Sequence, residues 1–129
     1  LEALIARYRE QYDVPPAAVV EVTVADDALL ADLNARYRGG EGPTDVLAFP
    51  IGRDPAEPEE VWIWGEVYVS FDRARDQAAE RGHSAEEELE RLVAHGLLHL
   101  AGFGHDGETA VREMEEATAE LLAPPEPQR

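Results

Sequence analysis

The segment His95-Gly-Leu-Leu-His99-Leu-Ala-Gly102-Phe-Gly-His105 holds three of the four histidines in the chain. A four-residue spacing puts two imidazoles on the same face of a helix, about one turn apart. Gly102 can end that helix in a left-handed conformation, so that His105 approaches the same point from a third direction. Three neutral imidazoles that converge on one point bind zinc and leave its fourth coordination position open, as catalytic zinc sites do. The segment therefore predicts a metal site on His95, His99 and His105.

The spacing H-x-x-x-H-x-x-G-x-x-H is that of the metzincin metalloproteases, with one departure. In a metzincin a glutamate directly follows the first histidine and serves as the general base for the attacking water. Gly96 occupies that position here, and Met114 follows the third histidine too closely to predict a Met-turn. The pattern thus favours a metal site without the protease mechanism. The fourth histidine, His83, follows Gly82 between two predicted helices and is expected to be a solvated loop residue.

Length and composition limit the class of protein. A chain of 129 residues is expected to form one domain, and no apolar run approaches the length that a membrane span needs, about 18 residues. The first residues show no charged-then-apolar leader, so secretion is not expected. The absence of cysteine excludes disulfides and thiolate ligands and suits a reducing cytoplasm.

The charge balance bears on possible partners. The net charge is −17, and every basic residue is arginine. This argues against a broad nucleic-acid surface, and no DNA or membrane partner is expected. The charge does not exclude a small cleft in which a divalent cation and a few arginines dominate the local electric field.

Apolar periodicity and turn residues predict the secondary structure. Helices are predicted over about residues 1–13, 27–37, 72–81, 85–101 and 108–122, and strands over 18–25, 46–51 and 61–71. Because the two types do not alternate strictly, we predict an α+β fold, with a small mixed sheet and about five helices in one domain spanning 1–129. The acidic, proline-broken stretch 52–60 is predicted to be a mobile surface loop, and 123–129 a disordered tail.

The helix that carries the first two histidines has a distinct pattern. Ser84 followed by Glu87 forms a capping box, and apolar residues cover most of the circumference beyond it. We expect this helix to be central, with a narrow strip left for His95 and His99. Glu88 falls near that strip and could orient an imidazole, but one of three successive glutamates is expected to be exposed. In the third strand, Gly65 is predicted to mark a bulge or a close backbone approach.

A second segment adds to the histidine pattern: Asn34-Ala-Arg-Tyr-Arg38-Gly-Gly-Glu-Gly-Pro43-Thr44-Asp45-Val46-Leu47-Ala48-Phe49-Pro50. Together the two segments resemble the YbeY family of bacterial metal-dependent endoribonucleases, which act in ribosomal RNA maturation. That family has an H-G-x-x-H helix, a third histidine after it, and an N-x-x-Y-R…P-T-D-V-L-S-F-P stretch. The chain departs from the pattern at Ala48, where serine is usual, at Gly104, where aspartate is frequent, and at Gly65-Glu66, where Gly-Asp is usual.

The resemblance implies a function for the predicted metal site. It implies a zinc-dependent endoribonuclease that cleaves single-stranded RNA, acts in forming the 3′ end of 16S ribosomal RNA, and takes part in ribosome quality control. The expected partners are ribosomal RNA and the small ribosomal subunit, in the cytoplasm. The resemblance also implies that Arg38 is functional, and its planar fork can bind two phosphate oxygens at once.

The general base is left open by the sequence. Glu66 and Asp106 are candidates for the base or for orienting a ligand, and a helix cap is the favoured role of Asp106. A phosphate of the substrate could also take the proton. Two other classes of function also remain open: a metallopeptidase-like hydrolase, and a non-catalytic ribosome assembly factor whose metal braces the fold.

Overall fold

A computed structural model describes residues 1–38, 44–52, 61–104 and 107–122, with only the backbone described at Arg38. Its order of elements is α1 (Glu2–Gln11), β1 (Ala18–Ala25), α2 (Asp27–Leu33), a π-helical turn (Asn34–Arg38), β2 (Val46–Pro50), β3 (Trp62–Ser70), α3 (Phe71–Arg81), α4 (Ala85–Leu100) and α5 (Glu108–Leu122). The α+β class, the five helices and the small mixed sheet are confirmed. The predicted loop and tail lie outside the described residues, apart from Gly52.

The three strands form one sheet in the order β1-β3-β2. β1 pairs with β3 in parallel, and β2 pairs with β3 antiparallel, so the central strand is the last of the three in the sequence. The β1–β3 register shifts between Val19 and Val20, which pair with Ile63 and Gly65. Trp64 is therefore the extra residue of a bulge, and the predicted irregularity beside Gly65 is confirmed.

Helix α4 packs against β2 and β3 on one face of the sheet, and α1, α3 and α5 pack around it. Alternation along β3 turns Val67 and Val69 towards this helix, and both are fully buried. On α4 itself the buried apolar residues are Leu92, Val93, Ala94, Leu97 and Leu98. The helix is thus central, as predicted, and its position fixes where the histidines lie relative to the sheet.

The ends of α4 are defined by the sequence features that predicted them. Ser84 accepts a hydrogen bond from the Glu87 backbone N–H at 3.1 Å, and Glu87 accepts one from the Ser84 N–H at 3.2 Å. At the other end Gly102 has φ of +105°. The Phe103 N–H donates to the Leu98 carbonyl at 3.0 Å, which completes a Schellman-type ending. The predicted capping box of Ser84 and Glu87 and the predicted helix end at Gly102 are both confirmed.

None of the helices in the described part of the chain is long and apolar enough to span a membrane.

Candidate functional site

His95 and His99 lie one turn apart on α4, and both are half-buried. His99 lines a cavity of about 530 Å³ between the end of α4, strand β2 and the π-helical turn. Asn34, Thr44, Ala48, Pro50, Phe103 and Gly104 are among the other residues that line it. The cavity therefore joins the two sequence segments that carried the family resemblance.

The imidazole of His99 is held in one orientation by the turn that ends its own helix. Its Nδ1 lies 2.8 Å from the carbonyl oxygen of Phe103. A carbonyl oxygen only accepts, so Nδ1 carries a proton, and in the neutral imidazole the lone pair is then on Nε2. Histidines that bind metals are typically fixed in this way, with one ring N–H donated to a carbonyl or carboxylate. Phe103 could not be identified from the sequence, because a backbone acceptor leaves no signature in residue types.

His95 has a different environment. Burial lowers its pKa, the nearby Arg91 lowers the pKa further, and Asp45 acts in the opposite direction. Since a lowered pKa favours the uncharged imidazole, His95 is neutral at neutral pH. The neutral form is the one that binds a metal ion.

Gly96 lies where α4 approaches the sheet most closely. A Cβ atom at this position would be 2.5 Å from Cγ1 of Val67 and 3.2 Å from Cγ2 of Val46. Contacts shorter than 3 Å require a neighbour to move, and Val67 is fully buried in the central strand. The position at which a metzincin has its catalytic glutamate thus has no room for a side chain here. This packing opposes the metallopeptidase alternative.

A chain of polar contacts extends from α4 to the residue before β2. Glu88 is fully buried and binds Arg91, whose Nη2 lies 2.6 Å from Oε2. Arg91 also donates to Oε1 of Gln77 at 3.4 Å, and Gln77 donates to Oδ2 of Asp45 at 3.2 Å. The expectation that Glu88 is exposed was wrong. Two positive charges compensate its burial, since Arg81 also lies 3.6 Å away.

Glu66 lies away from the two histidines. Neighbouring residues in β3 point to opposite faces of the sheet, and Val67 faces α4. Glu66 instead lines a separate recess with Leu33, Tyr37, Phe49 and Tyr68, and accepts a hydrogen bond from the Tyr68 hydroxyl at 2.6 Å. This bond is the main reason that the pKa of Tyr68 is raised to about 12. The structure therefore does not bring Glu66 to the candidate metal site.

Three other predicted site residues are not fully described. His105 and Asp106 lie outside the described residues, and Arg38 ends the π-helical turn with its side chain undescribed. Within residues 1–38, 44–52, 61–104 and 107–122, no group of three or more His, Cys, Asp or Glu side chains could hold a metal ion. The predicted ligand set therefore stays a prediction. His83 is exposed between α3 and α4, as expected.

Comparison with known proteins assigns the family. The family model described as Endoribonuclease YbeY matches residues 1–125. The chain belongs to the endoribonuclease YbeY family. Among its curated relatives, Endoribonuclease YbeY of Syntrophomonas wolfei is 40% identical, over 78% of this chain and 70% of the relative. Endoribonuclease YbeY of Beutenbergia cavernae is also 40% identical, over 93% of this chain and 83% of the relative.

A solved structure supports the fold. The solution structure of TM1509 from Thermotoga maritima matches with a TM-score of 0.58 and 28% sequence identity, covering 94% of this chain and 80% of that one. Membership of the YbeY family, whose name denotes an endoribonuclease, places the chain among the hydrolases that cleave RNA internally. The resemblance drawn from the two sequence segments is confirmed.

Proposed function

We propose that this YbeY-family chain is a zinc-dependent endoribonuclease specific for single-stranded RNA. We further propose that it acts in the cytoplasm on the 3′ end of 16S ribosomal RNA and in ribosome quality control, with the small ribosomal subunit as its partner. The observation that carries the metal proposal is the hydrogen bond from His99 Nδ1 to the Phe103 carbonyl, 2.8 Å long, beside a neutral His95. Two imidazoles one turn apart, one with its lone pair fixed on Nε2, suit a zinc ion.

The zinc site is proposed to comprise His95, His99 and His105. A zinc ion on three neutral ligands keeps its full charge, so it can bring the pKa of a bound water to about 7 and stabilise charge on phosphate. The chain's own residues have the remaining tasks. Burial favours the neutral form of His95, the Phe103 carbonyl orients His99, and the cavity beside His99 falls within the usual range of ligand pockets, roughly 300–1,000 Å³.

Arg38 is proposed to bind the phosphodiester. It ends the π-helical turn that begins at Asn34, and Asn34 lines the cavity with His99. A guanidinium can donate to two phosphate oxygens at once, which neutralises the charge that repels a nucleophile. Asp106 stays a candidate for the base, and a substrate phosphate is the alternative. The position of Glu66 on the other face of the sheet argues against its acting as that base.

The net charge of −17 limits how RNA can bind. An extended RNA surface would be repelled, so contact should be confined to the cavity and its cation. A duplex presents both phosphate backbones to a protein at once, so the acidic surface would repel it more than a single strand. The negative charge therefore supports a short single-stranded segment as substrate.

A substrate panel tests the proposal. Single-stranded RNA, double-stranded RNA, single-stranded DNA and a casein-like protein are each incubated with enzyme, with and without a chelator, and then with added zinc. Only single-stranded RNA should be cleaved, and zinc should restore activity after chelation. His99→Ala should abolish cleavage with the fold intact, whereas His83→Ala, an exposed histidine outside the site, should be fully active.

Other outcomes would favour the alternatives. Proteolysis would support the metallopeptidase, against the packing of Gly96. Unfolding of the chelated protein, with no cleavage of any substrate, would support an assembly factor whose metal is structural. Cleavage of RNA that persists in chelator would contradict the metal mechanism. Maturation of the 3′ end can be tested separately, by whether precursor 16S ribosomal RNA in immature small subunits is trimmed by the wild type and not by His99→Ala.

A further inference from the structure

An aromatic contact from the first helix supports the turn that orients His99. Tyr12 follows directly after α1, and its ring meets the ring of Phe103 edge-on, with centroids 6.0 Å apart and planes at 84°. Edge-to-face geometry at this separation is a favourable aromatic arrangement. The carbonyl of Phe103 is the group that accepts from His99 Nδ1. Tyr12, at the end of α1, is thus linked through Phe103 to His99, a proposed metal ligand.

The side chain of Phe103 matters because its backbone has left the helix. Gly102 has a positive φ, and the Phe103 N–H donates to the Leu98 carbonyl, while its own carbonyl accepts from the His99 side chain. A Cβ added to the next residue, Gly104, would meet no atom of the described, non-neighbouring residues within 4 Å. The Phe103 ring packs against the core, and Tyr12 is its edge-on aromatic neighbour in the described part of the chain.

Tyr12 is itself supported from the sheet. Its ring lies 5.2 Å from that of Tyr8, which is fully buried, and the Tyr8 hydroxyl accepts a hydrogen bond from Nε1 of Trp64 at 3.1 Å. Trp64 is the extra residue of the β3 bulge. The three aromatic residues thus connect the central strand to the turn after α4.

We propose that Tyr12 is a positioning residue for the metal ligand His99. Through the ring of Phe103 it fixes the carbonyl that holds the His99 ring with the proton on Nδ1. The expected effect on zinc affinity rests on the proposed metal function. The orientation of the His99 imidazole does not, because it is a property of the metal-free protein. Loss of the group that accepts a hydrogen bond from a metal-binding histidine typically weakens metal binding about 10- to 100-fold, and this range is the upper limit for Tyr12, which acts one residue further away.

The test has two readouts in four proteins: wild type, Tyr12→Leu, Tyr12→Phe and Phe71→Leu. The first readout is the tautomer of His99 in the metal-free protein, from imidazole ¹⁵N chemical shifts at about pH 8, where an ordinary histidine is neutral. The second is zinc affinity, by competition with a chromophoric chelator. Phe71 is an exposed aromatic residue at the start of α3, so its substitution controls for the loss of a ring elsewhere.

We expect the wild type, Tyr12→Phe and Phe71→Leu to hold His99 in the Nδ1–H form with equal zinc affinity. Tyr12→Leu should show a mixture of tautomers and weaker zinc affinity, by up to about 10-fold, the low end of the range for direct loss of the acceptor. If Tyr12→Leu does not fold, Phe103→Leu, which removes the other ring and keeps the carbonyl, should give the same two changes. An unchanged tautomer in a folded variant would overturn the proposal, whether or not zinc affinity falls. A wild type that binds no zinc would refute the proposed function, while the tautomer would still decide the role of Tyr12.

Discussion

Substitution of Gly96 by alanine distinguishes the cost of overpacking the core from the gain in helix propensity. Alanine in a helix is favoured over glycine by about 0.8–1.0 kcal/mol, so Gly96→Ala would stabilise an exposed helix. Here the new Cβ would lie 2.5 Å from Cγ1 of Val67. Overpacking of a core typically costs about 1–3 kcal/mol. We therefore expect Gly96→Ala to lower the free energy of unfolding, as measured by urea denaturation.

The control for this prediction is Gly104→Ala, since among residues 1–38, 44–52, 61–104 and 107–122 a Cβ at Gly104 would meet nothing within 4 Å beyond its chain neighbours. Its free energy of unfolding should stay within about 0.5 kcal/mol of the wild type. A Gly96→Ala protein as stable as the wild type would show that α4 can move away from the sheet. For the same steric reason, Gly96→Glu should fail to fold rather than acquire peptidase activity.

The buried carboxylate of Glu88 supports a second prediction at the scale of residues. Arg91→Met removes the closest of its two positive partners, and breaking a buried pair in this way costs about 3–5 kcal/mol. The double variant Glu88→Gln/Arg91→Met removes both charges and should recover most of that loss. The free energies of unfolding of the two variants measure the difference. Equal destabilisation in both would mean that Arg91 acts through its packing and not through its charge.

What the sequence could predict about the site depended on spacing along one helix. His95 and His99 were placed on a common face by their four-residue separation, and the structure shows them one turn apart on α4. The burial of Glu88 depends on Arg81 in another helix, and the orientation of His99 depends on a backbone carbonyl. Neither contact follows from residue types in one segment. Only the spacing of Glu88 and Arg91, three residues apart, could have indicated that pair.

At the scale of elements, the capping box of α4 gives a prediction with a defined magnitude. The Ser84 hydroxyl accepts from the Glu87 N–H at 3.1 Å, at the start of the helix that carries both histidines. Ser84→Ala removes this acceptor and should cost about 1 kcal/mol of stability. Ser84→Asp keeps an acceptor at the N-cap and should be close to the wild type. Thermal unfolding of the three proteins checks the order, and a Ser84→Ala protein of wild-type stability would contradict it.

The limits of a strand could be predicted from the sequence, but the pairing between strands could not. The β-branched run from Ala18 to Ala25 lies between Pro16 and Asp26, and its limits as a strand were predicted to the residue. A mixed sheet was predicted, but the order β1-β3-β2 and the assignment of the parallel and the antiparallel pair were not, because they depend on which strand faces are buried together. The face of β3 on which Glu66 lies follows from that pairing. Glu66 could therefore be named as a candidate but not placed.

For the whole molecule, the response of stability to acid combines two opposing effects. The chain has a net charge of −17 at neutral pH, and protonation of carboxylates relieves the repulsion between them. Against this, the hydrogen bonds from Arg91 hold the pKa of Glu88 below its usual value. The unfolded state then binds a proton before the folded state does. The contribution of Glu88 is present in full above the usual glutamate pKa, about 4.3, and is lost as the pH falls through the lower pKa of the folded protein.

The double variant Glu88→Gln/Arg91→Met separates these effects, because it removes one negative and one positive charge and leaves the net charge unchanged. Relief of repulsion is then the same in both proteins, and so is the contribution of Glu87, whose pKa is lowered by its hydrogen bonds with Ser84. We expect the free energy of unfolding of the wild type to fall more steeply below about pH 4.3 than that of the double variant. Only this range is compared, because Arg91 lowers and Glu88 raises the pKa of His95, so the double variant also changes how His95 titrates at higher pH. Urea denaturation from about pH 7 to pH 3 measures both curves. Parallel curves below about pH 4.3 would show that Glu88 titrates alike in the folded and unfolded chains, and that its contact with Arg91 contributes nothing to acid sensitivity.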